Sequence, residues 1–190
     1  MDVYYKKDII YSFNGQEFVF AVGNTLFSTF DLDHGSDIFV RAIDYKNPQT
    51  ILDMGCGYGP IGIILAKKYS FAKVTMIDRD LLAVRYAAFN AEKNGVKNIE
   101  TFGSVGMEKV IDQTFDLIVS NIPAKIGDEA IEEEFIVDPL KQLNHNGELW
   151  IVVVNALNRL VPKVCRTREF SCKEIRKRNG HTVYQIKNKA

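Results

Sequence analysis

Histidine, cysteine and tryptophan are scarce, at three, three and one among 190 residues. The cysteines, Cys56, Cys165 and Cys172, are odd in number and form no Cys-x-x-Cys pair, so neither a disulfide framework nor a zinc site is expected. His34, His145 and His181 are scattered, and no metal is expected. Net charge is absent too: 24 Lys and Arg balance 24 Asp and Glu. That argues against a generic polyanion binder but leaves room for a local basic face. No apolar run approaches the roughly 18 residues that a membrane-spanning helix requires. The N-terminus, MDVYYKKDII, has no apolar signal core. The expectation is a cytoplasmic protein with no membrane partner. What remains is a chain that is 46% hydrophobic, of a length that fits one sizeable core.

Hydrophobic patterning then sets the architecture. Short apolar runs flank Asn14-Gly15, a hairpin signal, so residues 1–24 read as an N-terminal β-hairpin flap ahead of a main domain at 25–190. Apolar strands at Gln49–Met54, Lys73–Ile77, Asn98–Phe102, Phe115–Ser120 and Gly147–Val154 alternate with helical patterns at Pro60–Tyr69 and Leu81–Asn94. A further helix is expected over Ser36–Tyr45, with Ser36 as its N-cap and Asp37 in its first turn. Two late strands, Phe170–Arg176 and Thr182–Lys187, meet through Asn179-Gly180. The fold class is therefore α/β, Rossmann-like. A mostly parallel sheet carries helices on both faces, with an antiparallel C-terminal hairpin at one edge. Ligands of such sheets sit outside the carboxyl ends of the strands, where the strand order reverses.

The first of the parallel strands runs into Asp53-Met54-Gly55-Cys56-Gly57-Tyr58-Gly59-Pro60-Ile61-Gly62. Glycines at alternate positions allow a tight turn and a close backbone approach to a ligand. Gly57-x-Gly59-x-x-Gly62 also satisfies the dinucleotide fingerprint, which is weak by itself. Asp53 separates the two ligands: a carboxylate repels a pyrophosphate but suits the sulfonium and ammonium of S-adenosylmethionine. Asp78 closes the next strand, where an acid can accept both hydroxyls of a ribose, and Arg79 follows it. Asp80 is available to cap the helix that begins at Leu81. The candidate cofactor set is Asp53, Gly55, Cys56, Gly57, Gly59, Asp78, Arg79 and Ser104.

The fourth parallel strand, FDLIVS, leads into Asn121-Ile122-Pro123-Ala124. Together with the glycine loop and the leading segment LFSTFDLDHGSDIF, this motif resembles the class I S-adenosylmethionine-dependent methyltransferases. Within them it is most similar to the methyltransferase small-domain family, over roughly Thr25 to Val154. That family includes enzymes that methylate the exocyclic amine of guanine in ribosomal RNA and uses a strand-end Asn-Pro-Pro motif. The resemblance implies that Asn121 and the Ile122 carbonyl accept the two N–H bonds of an amine, with Pro123 holding the turn rigid. Localising the lone pair and aiming it at the methyl group is what such chemistry asks for. On that account Asp at position 121 should retain more activity than Ala. The sequence departs from the pattern at Ile122, where the family has proline, and at Ala124, often aromatic in the family. The strand end Phe102-Gly103-Ser104 lacks the acid that many relatives direct at adenine, which leaves Ser104 or backbone groups to substitute. Phe27 or Phe30 could supply a stacking ring.

Charge is unevenly spread. Asp128–Asp138 holds six acids, expected as a solvated helix face. Residues 159–190 hold ten Lys and Arg against two acids. Such asymmetry suits an RNA-facing patch or the protection of an exposed edge strand. The leading expectation is a methyltransferase acting on a nitrogen of an RNA base. Protein-amide or small-molecule methylation stands second, ahead of an NAD-binding oxidoreductase or a non-catalytic binding module.

Overall fold

The computed structural model describes residues 3–24 and 32–189. Phe27 and Phe30 lie outside them. The chain opens with an antiparallel hairpin, β1 (Tyr5–Phe13) and β2 (Gln16–Gly23). Its turn is Asn14-Gly15, both at positive φ (49° and 78°), the conformation that a two-residue hairpin turn demands. Helix α1 (His34–Ala42) follows. Strand β3 (Thr50–Met54), helix α2 (Pro60–Lys68), β4 (Lys73–Asp78), α3 (Leu81–Lys93) and β5 (Ile99–Gly103) form successive strand–helix units. Then come β6 (Phe115–Asn121), α4 (Asp128–Glu132), a π-helical turn (Glu133–Val137) and α5 (Asp138–Lys141). Strand β7 (Leu143–Val154), α6 (Leu160–Thr167), β8 (Ser171–Arg178) and β9 (His181–Lys187) complete the chain.

Seven strands make one sheet in the order β5-β4-β3-β6-β7-β9-β8. The first five are parallel, and β9 pairs antiparallel to both β7 and β8. The order reverses between β3 and β6, so the crevice of such a sheet opens above their carboxyl ends. A mostly parallel sheet with an antiparallel C-terminal hairpin is what the patterning predicts. The second Asn-Gly turn, Asn179-Gly180, again has both residues at positive φ (49° and 77°).

Two buried clusters flank the sheet. One joins the hairpin, α1, α2 and α3 to Ile51, Met76, Val119, Val152 and Val183. The other joins the α4–α5 stretch and α6 to Leu52, Ile118, Ile151, Tyr184 and Ile186. The alternation of neighbouring residues between clusters is the period of two expected of strands buried on both faces. The hairpin shares the first core. Phe18, Phe20 and Val22 are fully buried, and Asn90 of α3 bonds both the N–H and the carbonyl of Ala21.

The structure corrects some local expectations. The α1 N-cap is Asp33, whose side chain accepts from Ser36 N at 2.9 Å, rather than Ser36. Two cap-forming residues stand three apart, and the upstream one closes the turn. Strand β7 begins at Leu143 rather than Gly147. The acidic segment Asp128–Asp138 is helical but not wholly solvated, since Phe135, Ile136 and Val137 are buried in a π-helical turn. Pro139 follows and lacks the N–H that a regular helix would bond back to that turn.

Candidate active site

Strand register aligns the candidate residues in one row. Asp78 pairs with Gly103, Asn121 with Val152, Val152 with Val183, and Val183 with Arg176. Extending the pairs Met54–Ile77 and Asp53–Val119 brings Gly55 level with both Asp78 and Asn121. The row therefore runs Gly103, Asp78, Gly55, Asn121, Val152, Val183, Arg176 across all seven strands. It lies at the carboxyl ends of the parallel strands, with the reversal point at its middle.

The glycine loop is tied to β4 from both sides. Gly55 N and Cys56 N both donate to Ile77 O, at 2.9 and 3.0 Å. Asp78 accepts from Gly57 N at 2.8 Å with one oxygen and from Asp80 N at 2.9 Å with the other. Its partial exposure leaves the carboxylate further lone pairs for a ligand. Asp80 in turn caps α3 through Leu82 N at 2.9 Å. Gly55, Gly57 and Gly59 have φ of 71°, 56° and 93°, values that side-chain-bearing residues rarely adopt. A Cβ on Gly57 would meet nothing within 4 Å, so its surroundings are open. A Cβ on Gly62 would come within 2.5 Å of Met76 Sδ and 3.0 Å of Asp53 Oδ2. That glycine serves the close approach of α2 to the sheet.

Asp53 points inward. It is fully buried, and Oδ2 accepts from Gly62 N at 2.8 Å while Oδ1 has no hydrogen-bond partner among the described residues. Burial raises its pKa to about 7; the Gly62 hydrogen bond opposes that rise and the nearby Asp78 charge adds to it. Cys56 is buried as well, and desolvation first, then the Asp53 and Asp78 charges, push its thiol well above the ordinary range. Ser104 N donates to Asp78 O, but its hydroxyl donates to Gly106 O and accepts from Lys109 N. That hydroxyl closes its own loop. Arg79 is exposed beside Asp78.

Asn121 ends β6 on the face that carries α1. Its Nδ2 donates to Asp33 Oδ1 at 3.2 Å and to Ser36 Oγ at 3.1 Å. Both amide protons are engaged by the start of α1, which fixes the side chain and leaves Oδ1 as an acceptor. Ser120 Oγ donates to Met54 O at 2.8 Å, coupling β6 to the strand that feeds the glycine loop. Ile122 is buried in the core on the opposite face, and Pro123 and Ala124 are exposed. Asp33 and Ser36 hold the Asn121 side chain, a contact that sequence reasoning did not assign. The Asp-x-x-Ser spacing signals only a helix cap, and nothing local in it points to a residue 88 positions away.

The methyltransferase small-domain family model matches residues 17–185. The chain belongs to that family. Its relatives include the uncharacterised protein YbxB of Bacillus subtilis, 33% identical over 152 residues, or 78% of this chain and 74% of YbxB. Ribosomal RNA small subunit methyltransferase C of Hahella chejuensis is 34% identical over 140 residues, 72% of this chain but 39% of that protein. The Haemophilus influenzae protein of the same name is 32% identical over 166 residues, 86% of this chain and 49% of its own length. The chain thus spans half or less of these two ribosomal RNA methyltransferases. Among solved structures, the T. thermophilus 16S rRNA N2 G1207 methyltransferase RsmC, in complex with AdoMet and guanosine, superposes with a TM-score of 0.81. That match covers 96% of this chain and 50% of RsmC at 20% identity, and it establishes the shared fold.

Proposed function

We propose that the chain transfers a methyl group from S-adenosylmethionine to the exocyclic amine of a guanine in small-subunit ribosomal RNA. The reading draws on the family, on the named activities of the relatives, and on one observation above the others. Asn121 is held by its amide nitrogen, so that its oxygen is the atom offered to a substrate.

The residues at the carboxyl edge fit the cofactor. The open space over Gly57 admits a ligand against the backbone, and Asp78 stands where a ribose would be read. Asp53, buried behind the loop, accepts from Gly62 N and so ties the start of α2 to the strand that feeds the loop. Gly55, Cys56, Gly57, Gly59, Asp78 and Arg79 would line that site, with Asp53 supporting it from within. Adenine would be met by backbone groups near Gly103 and Ser104 rather than by the Ser104 hydroxyl. When bound, the cofactor supplies an electrophilic methyl group on a sulfonium.

The chain's own part is alignment. An exocyclic amine has its lone pair delocalised into the ring. Asn121 Oδ1 and the Ile122 carbonyl would each accept one N–H, which localises that pair and directs it. Pro123 fixes the backbone angle that presents the carbonyl. Asp33 and Ser36 restrain the Asn121 carboxamide. Those basic residues of the stretch 159–190 that share the face of Asn121 would meet the RNA.

The test is incubation with labelled S-adenosylmethionine and 16S ribosomal RNA, protein and metabolite fractions from cells lacking the protein. Label should enter the RNA, in guanine. Asn121→Ala should cut turnover by about a hundredfold or more, with cofactor affinity nearly unchanged. Label found only in protein or metabolites would overturn the RNA assignment, and full turnover in Asn121→Ala would overturn the role of Asn121.

A further inference from the structure

Resting on the RNA reading above, we infer that Arg176 and Arg178, beside His181 at the tip of the β8–β9 hairpin, form a phosphate-binding site for the substrate RNA. The ten basic residues of the C-terminal stretch are not equivalent. Arg168 is paired with Glu132 and Glu133, and Lys187 with Glu148. Lys163 and Arg166 lie on α6, which packs on the sheet face opposite to Asn121. Lys177 stands opposite Thr182, on that same far side.

Arg176 and Arg178 differ from these in their face. Arg176 pairs with Val183 and Arg178 with His181, and residues directly opposite in a sheet share a face. Val183 belongs to the cluster beneath α1, the face on which Asn121 lies. Arg176 is the last member of the row that contains Asn121. Three strand spacings separate them, about 14 Å of backbone. His181 reaches the start of α1: a Cβ on Gly35 would come within 2.9 Å of His181 Cδ2 and of Asp33 Oδ1 alike. The hairpin tip therefore adjoins the residues that hold Asn121. Both arginines are exposed, and no ion pair engages either among the described residues. A planar guanidinium fork matches a phosphate, and two of them two positions apart along a strand suit a chain of phosphates. An RNA whose target base sits at Asn121 would pass its flanking backbone over this tip.

The test uses the full chain and unmodified 16S ribosomal RNA, with binding measured between roughly 50 and 200 mM salt. The double variant Arg176→Ala/Arg178→Ala should weaken RNA binding at least tenfold. It should also flatten the plot of log K against log salt by roughly 1.4–1.8, the release expected for two phosphate contacts. Calorimetric affinity for S-adenosylmethionine should stay at the wild-type value, which confirms an intact fold. Lys163→Ala/Arg166→Ala should leave the slope unchanged. Equal slopes in wild type and the hairpin variant, or equal losses in both double variants, would overturn the inference while the RNA reading stands. A wild-type chain that shows no salt-dependent RNA binding yet methylates another nucleophile would remove both. Loss of an acidic protein partner, with RNA binding intact, would reassign the surface to that partner.

Discussion

At the residue scale, the environment of Asn121 reverses one expectation. An aspartate at 121 keeps an acceptor oxygen but loses both donors that now reach Asp33 and Ser36. It also places a second carboxylate against Asp33. Two carboxylates at that range repel when both are ionised at high pH, and the repulsion is relieved as one of them takes up a proton on acidification. Asn121→Asp should therefore be worse than Asn121→Ala at pH 8 and recover part of its turnover as the pH falls toward 5. Adding Asp33→Asn restores an amide–carboxylate pair and should rescue activity at pH 8. A pH–rate profile of the three variants checks this, and an Asn121→Asp enzyme that matches wild type throughout would refute it. Asp53 offers a second residue-scale outcome. Its folded pKa, about 7, lies above that of an unfolded aspartate. The folded state thus holds the proton more tightly, and the relative stability present in acid is lost as the pH rises toward 7. Asp53→Asn removes the ionisation and keeps an acceptor for Gly62 N. The stability of Asp53→Asn minus that of wild type should therefore grow between pH 5 and pH 8, measured by urea unfolding at each pH. A difference independent of pH would show that Asp53 is not held protonated by its burial.

At the scale of elements, the glycine loop carries the clearest test. Gly57→Val meets no steric obstacle in the free protein but must hold a β-branched residue at φ 56°. Titration calorimetry should show cofactor binding lost, while thermal unfolding remains cooperative. Gly62→Ala has the opposite character. Its methyl group would press on Met76 and Asp53 and should cost about 1–3 kcal/mol of stability by overpacking. These elements were legible because their signals are local. Both Asn-Gly turns, the Pro60 start of α2 and Gly95 after α3 announce themselves within a few residues. The glycine loop and Asn121 were legible for the same reason. What was not legible is non-local: that Asp33 caps α1 and grips Asn121 at once, and that the Ser104 hydroxyl is engaged by Lys109 and Gly106. The π-helical turn also escaped, because its cause is a proline that suits the first turn of a helix equally well.

At the scale of the molecule, the hairpin and the sheet unfold as one body if the shared core decides their stability. Asn90 joins them: it bonds Ala21 N at 2.7 Å and donates to Ala21 O and Tyr58 O, each at 2.9 Å, with no exposure. Asn90→Ala leaves three buried backbone groups without that partner and should cost at least about 2 kcal/mol. Wild type should show a single transition by both far-ultraviolet and near-ultraviolet dichroism. Two separated transitions would make residues 3–24 an independent flap.

The row across the sheet has a last consequence, for inheritance. To one side of Gly55 lie Asp78 and Gly103, on strands that would read the methyl donor. To the other lie Asn121 and Arg176, on strands that would read the acceptor. The two halves meet at the reversal point, where the backbone is pinned by Ser120 and Ile77, and in the core beneath α1 that Met76, Val119 and Val183 share. A lineage built on this sheet could vary the exposed positions of β8, and with them the acceptor it meets, while keeping the buried side of β9 and the half that would hold its donor. Descendants should therefore differ most at the exposed positions of β8 and least between β3 and β4.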